Sequence, residues 1–183
     1  ANIRETDAII HVLRCFDNDN IVHVDGNVDP IRDKETINIE LQLKDLETVE
    51  KKLEKVNRSA RTGNKDAIKE KGILETIKIS LEQSKNVRSL KLKRDDRIEF
   101  VKPLQLITDK PVLYLCNVDE ASAKSGNNYV EKVKKTVSDE SAGLLILAVS
   151  IEADINELSS FEERKLFLED LGLEEAGASV ELK

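Results

Sequence analysis

Hydrophobic positions along this chain follow two rhythms. Residues 7–16 (DAIIHVLRCF), 110–120 (KPVLYLCNVDE) and 143–149 (GLLILAV) are nearly unbroken apolar runs. Runs of that length predict strands of a parallel sheet covered on both faces. A three-and-four spacing occupies the ground between the first two. From Asp29-Pro30, an N-cap oxygen followed by proline at the first helical position, to about Ala60, it is carried by Ile39, Leu43, Leu46, Val49, Leu53 and Val56. That predicts one apolar stripe on a helix about 46 Å long, too long for a small domain to contain. Gly63-Asn64 supplies a turn, and Ile68, Ile73, Leu74, Ile77 and Leu81 give a returning stripe. Neither stripe is stable alone in water, so the two helices are expected to pair as an antiparallel hairpin.

Leu104–Ile107 returns the chain to a core, and residues 121–128 are small and polar, as in a surface loop. Val130, Val133 and Val137, alternating with lysines, predict a short crossover helix over Tyr129–Asp139. Ser150–Asp154 is expected to be the loop ending the third strand, and Phe161–Leu171 a helix closed by Gly172. Right-handed connections then place the three strands side by side. The expected organisation is an α/β domain over 1–29, a helical insertion over 30–102, and the rest of the α/β domain over 103–183.

Composition narrows the function. Charged residues make up 36% and aromatics 3%, a balance that suits long solvated helices better than a β-sandwich. A net charge of −7 argues against a wholesale nucleic-acid binder, although a local basic cluster can still contact phosphate. Lys85, Arg88, Lys91, Lys93, Arg94 and Arg97 form such a candidate RNA contact, interrupted by Asp95, Asp96 and Glu99; a solvated helix face would look the same. His11 and His23 show no metal-ligand spacing and read as structural. Cys15 and Cys116 read as buried free thiols near the carboxyl ends of their strands, where oxidation sensitivity is the sharper alternative. No signal peptide and no 18-residue apolar run is found, so a soluble, cytoplasmic protein is expected.

In parallel α/β sheets ligands sit beyond the carboxyl ends of the strands, which puts Asn117, Asp119 and Glu120 where a site belongs; an ordinary strand-to-helix turn is the plainer reading. The NVDE segment 117–120 resembles the base-recognition motif of P-loop NTPases, usually NKxD, in the NxxE form of the Obg-like ATPase (YchF) family. NIRETDAIIHVLRCFDNDNIVHVDGNVDP at 2–30, TDKPVLYLCNVDE at 108–120 and SIEADINELSSFEERKLFLEDLGLEE at 150–175 resemble that family in the same order. The resemblance implies a Ras-like P-loop NTPase sheet with a coiled-coil insertion, ATP or GTP with Mg²⁺ as ligands, and association with ribosomes. Neither a GxxxxGK[ST] phosphate loop nor a DxxG switch is found in the sequence. In the family both lie upstream of the NIRETD run, so Ala1 is expected to be a break inside the nucleotide-binding domain; the chain also contains no Met. The family's C-terminal TGS domain would follow the GLEE segment.

What the resemblance implies for chemistry concerns the base. A carboxylate at the NKxD aspartate accepts from N1–H and the 2-amino group of guanine, whereas adenine offers an acceptor at N1 and a donor at its 6-amino group. Glu120 is one methylene longer than that aspartate, and Val118 stands in place of the lysine whose stem covers the base. The family's NxxE form goes with ATP, so ATP is expected over GTP. Asn117 is carried over as a brace for the loop, Val118 as a backbone and apolar contact, and Glu120 as the selector. Ala148, Val149 and Ser150 match the second base loop by position rather than by letters. No catalytic residue is expected in this chain, which should show negligible ATPase activity alone and could self-associate through an open sheet edge. The competing reading is a non-enzymatic module whose hairpin binds a ribosome or protein.

Overall fold

A computed structural model describes residues 3–18, 27–140 and 142–173. Most of the connection expected over Asp17–Asp29, including His23 and Gly26, lies outside the described residues. The chain divides into two compact units, one built from Glu35–Pro111 with the segment up to Ile9, the other from Ile10–Lys34 and the residues from Val112 onward.

The second unit carries the sheet. Strands β1 (Ile9–Arg14), β2 (Val112–Asn117) and β3 (Gly143–Leu147) lie in the order β1-β2-β3. β2 and β3 run parallel, with Leu113 opposite Gly143 and Asn117 opposite Leu147. On the other side of β2, Ile9 N–H donates to Pro111 O at 3.0 Å and Cys15 N–H to Asn117 O at 2.7 Å. The same six-residue advance on both strands makes that pair parallel too. All three carboxyl ends therefore meet at one edge, with Asn117 at the central one.

Coverage of the sheet differs from the expectation of two covered faces. In β2 Val112, Tyr114 and Cys116 are buried while Leu113 and Leu115 are only half-buried. In β1 Leu13 is buried, whereas Ile10 is 61% and Val12 57% exposed. An apolar run reports that both faces are apolar; it does not report whether a layer lies on each. Helix α4 (Asn128–Val137) buries Val130, Val133 and Val137, as its spacing predicts. A second difference matters more for the site. The segment Ser150–Asp154, expected as a loop, is helical within α5 (Val149–Glu157), which buries Ile151 and Ile155. Four-residue spacing of those two isoleucines was the missed signal. Helix α6 (Phe161–Asp170) opens with a Ser160/Glu163 capping box, and Gly172 follows it at φ +67°.

Helix α1 (Pro30–Arg61) begins in the second unit, where Asp29 Oδ1 accepts Ile31 N–H at 3.1 Å and Arg32 N–H at 3.2 Å. From Glu35 it belongs to the first unit and pairs there with α2 (Lys65–Glu82). Gly63 makes the turn at φ +83°, and Asn64 Oδ1 caps α2 by accepting Ala67 N–H at 3.0 Å. Val49, Leu53 and Val56 form a core with Ala67, Leu74, Ile77 and Leu81, joined by Val87, Val101 and Leu106. The buried face of α1 follows its apolar letters from Leu46 to Val56 and departs from them before that: Ile39 and Leu43 are 48% and 57% exposed, while Gln42 and Asp45 are buried in line with Val49. On α2, Ile68 is 52% exposed. Asp45 is fully buried because its carboxylate accepts Ile107 N–H at 3.0 Å, Thr108 N–H at 2.7 Å and Thr108 Oγ1–H at 2.8 Å, with Arg4 Nη1 also at 3.0 Å. Four charge-assisted bonds offset the cost of taking a carboxylate out of water.

The basic stretch 85–102 is not one helix. It is a short turn at Val87–Ser89, then α3 (Arg94–Asp96), a single turn that widens into a π-helical turn at Arg97–Val101. No helix among the described residues is long and apolar enough to cross a membrane.

Candidate functional site

Asn117 ends β2, and its side chain is spent on the second base loop: Oδ1 accepts Val149 N–H at 3.1 Å. Ala148 is the N-cap residue of α5 and has no side-chain oxygen to offer, so an amide from the neighbouring strand does the capping instead. One residue further, Val118 N–H donates to Leu147 O at 2.9 Å, extending the β2–β3 ladder. These two bonds hold the 117–120 loop and the 148–150 segment in fixed register.

An open cavity of about 520 Å³ lies at this edge, lined by Phe16, Asp17, Asn18, Asn117, Val118, Asp119, Glu120, Ala121 and Ser150. Four of the six expected base-site residues thus share one cavity wall. Ala148 and Val149 are not in that wall: Ala148 is buried and Val149 contributes its N–H to Asn117. Val118 is only 2% exposed, so its side chain offers little apolar surface and its backbone is the available part. Asp119 is occupied locally, its Oδ1 accepting Ser122 N–H at 2.8 Å. Glu120 is exposed and lies between this cavity and a second one of about 510 Å³, lined in part by Lys124, Ile151 and Leu171.

Glu120 offers an exposed carboxylate as acceptor at this wall, and the Asn117 amide nitrogen and the Ser150 hydroxyl are donors on it. The chemistry available is selection by hydrogen bonding; nothing in this wall has the means to hold a triphosphate.

Two supports went unread in the sequence. Asn127, within the stretch expected as a plain loop, caps α4 by accepting Tyr129 N–H at 3.0 Å and Val130 N–H at 3.2 Å, and its Nδ2 donates to Cys15 O at 2.7 Å. Tyr129 Oη–H donates to the Asp17 carboxylate, 2.9 and 3.0 Å from its two oxygens, which raises the Tyr129 pKa chiefly through that bond. An asparagine just before the Val130, Val133 and Val137 spacing was the available signal for the cap. Beneath the site Cys15 and Cys116 are both fully buried free thiols in side-chain contact. Cys116 is lowered by the hydrogen bond from Cys15, and Cys15 is raised by the same bond and by burial. His11 packs on Tyr114 with ring centroids 5.6 Å apart.

The candidate RNA residues separate into two groups. Arg88 Nη1 donates to Thr108 O and Lys110 O, both at 3.4 Å, and Arg97 pairs with Asp109 and donates to Leu90 O at 2.8 Å. Those two guanidiniums hold the first unit together. Lys85, Lys91, Lys93 and Arg94 are exposed.

No family model matches the chain. It is 44% identical over 185 residues to "Ribosome-binding ATPase YchF" of Bacillus subtilis, covering 100% of this chain and 50% of that protein. It is 38% identical over 148 residues to "Obg-like ATPase 1" of Oryza sativa subsp. indica, covering 80% of this chain and 37% of that protein. Among solved structures, "Structure of the Schizosaccharomyces pombe YchF GTPase" matches with a TM-score of 0.81 and 33% identity, covering 93% of this chain and 47% of that one. The chain thus spans about half the length of the curated relatives it matches.

Proposed function

Because the chain belongs to the YchF family of Obg-like ATPases, we propose that it supplies the base-recognition half and helical arm of a ribosome-associated ATP- or GTP-hydrolysing protein, with ATP preferred. One observation carries the reading. Asn117 ties the end of β2 to the start of α5 and leaves Glu120 exposed at the cavity, free to choose the base. Asn117, Val118, Glu120, Ala148, Val149 and Ser150 form this base site, the last three through the register of α5. The divisions 1–29, 30–102 and 103–183 belong to the same proposal, as do a cytoplasmic setting and self-association through the exposed β1 edge.

Phosphoryl transfer needs Mg²⁺ and a phosphate-binding loop, which neutralise and position the phosphates. The sequence contains no GxxxxGK[ST] loop to do so. This chain's contribution is to bind and orient the base.

Fluorescent ATP and GTP analogues, titrated against this chain and against the chain extended at its N-terminus by the corresponding segment of a relative, test the proposal. Binding by the extended protein alone, with ATP favoured and Glu120 required, is the expected result. In that protein Glu120→Asp with Val118→Lys should move preference toward GTP. An unchanged ATP-to-GTP ratio overturns the selector role, and no binding by either protein leaves the hairpin as an interaction module.

A further inference from the structure

The cavity at the strand ends is lined by two stretches of chain that are far apart in sequence. Phe16, Asp17 and Asn18 form one wall; Asn117 to Ala121 form the other, with Ser150 beside them. The backbone joins the two at Cys15 N–H and Asn117 O, 2.7 Å apart, and beyond that bond they continue as separate linings of the opening. Arg14 braces the first wall from within, its Nε donating to Phe16 O at 3.1 Å and its Nη2 to Asn18 O at 3.3 Å. Being on the same strand, Arg14 fixes the shape of that wall and not its distance from the other.

That distance falls to the start of α4. Asn127 lies in neither wall, yet its Nδ2 donates to Cys15 O at 2.7 Å, at the root of the first, and to Ser122 Oγ at 3.4 Å, in the short turn Glu120–Ser122 of the second. Its Oδ1 accepts Tyr129 N–H and Val130 N–H, so both donors and both acceptor positions of the amide are used. Capping α4 requires only the oxygen, and a serine or an aspartate would serve that purpose as well. The two bonds made by the nitrogen are therefore not explained by the helix; they tie one wall to the other. Gly126 N–H, donating to Ser122 O at 2.8 Å, closes the turn that delivers Asn127. Two residues further on, Tyr129 Oη–H donates to the Asp17 carboxylate and adds a second tie to the first wall. Val130, Val133 and Val137 are buried, so these ties come from a fixed helix rather than from a loop.

We propose that Asn127 and Tyr129 are positioning residues for the purine: they act from outside the cavity wall and together set the separation of the two walls that receive the base. The proposal rests on the reading of this cavity as a base site and adds to it a determinant of base affinity that lies outside both base loops. A ligand held between two walls loses bonds when their spacing shifts by about 1 Å. The phosphates of a nucleotide do not depend on that spacing, which separates this role from a general contribution to the fold.

The test uses the N-terminally extended protein described above. Asn127→Ser keeps a capping oxygen and removes the amide donors, and Tyr129→Phe removes one hydroxyl. Glu120→Gln reports on the base site itself, and urea unfolding reports on the fold. Binding of ATP and of inorganic tripolyphosphate, each with Mg²⁺, is measured for every variant. Asn127→Ser should weaken ATP about tenfold and Tyr129→Phe about threefold, with tripolyphosphate affinity and the unfolding midpoint close to those of the parent. Equal losses for ATP and tripolyphosphate overturn the proposal, since they report a damaged fold. Parental ATP affinity in both variants, with loss in Glu120→Gln, also overturns it and leaves the base-site reading standing. Parental ATP affinity in all three variants overturns both. If Asn127→Ser does not fold, Tyr129→Phe decides alone: a loss confined to ATP supports the proposal, and parental affinity overturns it.

Discussion

The side-chain oxygen of Asn117 accepts the backbone N–H of Val149 at 3.1 Å, so the residue that ends β2 is also the cap of α5. One amide thereby couples the two segments proposed to surround a purine. Replacing it with Ala leaves the first N–H of α5 without its partner, beside an N-cap alanine that cannot substitute. Asn117→Ala should cost about 1 kcal/mol of stability, the usual value of a lost N-cap. Urea unfolding of the variant checks this, and in the N-terminally extended protein the nucleotide affinity should fall with it. Asn117→Asp keeps the oxygen and should retain most of the stability.

Asp45 should be the most sensitive polar position in the first unit. Its fully buried carboxylate satisfies two backbone N–H groups and one hydroxyl, so Asp45→Ala strands three buried donors. A loss of about 3–5 kcal/mol is expected, in the range for breaking a buried charged network. Asp45→Asn keeps one acceptor and should lose less. Denaturant melts of both variants decide the order, and a loss below 1 kcal/mol for the alanine variant would contradict the burial argument.

The contrast between Asp45 and Leu43 shows what the sequence could and could not deliver. Strand positions, helix ends, the Gly63 turn and the Gly172 stop were legible because each depends on local backbone chemistry. The NVDE loop was legible because strand ends place loops predictably. The Gln42–Asp45 part of the buried face of α1 was not, because an aspartate reads as solvated until its partners are known, and Ile107 and Thr108 lie more than 60 residues away in the chain. The helical start of α5 was hidden for a related reason: Ala148 is a poor cap, and the acceptor that compensates is Asn117 on a different element. Long-range partners decided both.

Cys15 and Cys116 should be inert in the folded protein. Both are fully buried, and Cys15 is held far above the ordinary thiol range by its bond to Cys116 and by burial. A buried thiol that stays protonated is a poor nucleophile. With a chromogenic disulfide reagent at pH 8, no thiol should react on the timescale of minutes without denaturant, and both should react in urea. Rapid native-state labelling of Cys116, the member of the pair whose pKa is lowered, would mean that the edge beneath the site opens often.

Tyr129 carries a pH dependence whose sign follows from its partner. Its hydroxyl donates to the Asp17 carboxylate, and ionising it would place a phenolate against that charge, so its pKa lies above the ordinary value. A group raised on folding contributes stability that is fully present below its unfolded pKa, about 10 for tyrosine, and is lost as pH rises through the folded value. The bond is at the surface, so the effect on stability is small, but the titration is visible. The chain has two tyrosines, and a Tyr114→Phe background isolates the signal. Ultraviolet difference titration should then give a Tyr129 midpoint above that of free tyrosine, and Asp17→Asn should bring it back toward 10. A midpoint unmoved by Asp17→Asn would mean that the bond does not persist in solution. In that case the Asp17 side of the cavity is open to a ligand rather than tied to α4.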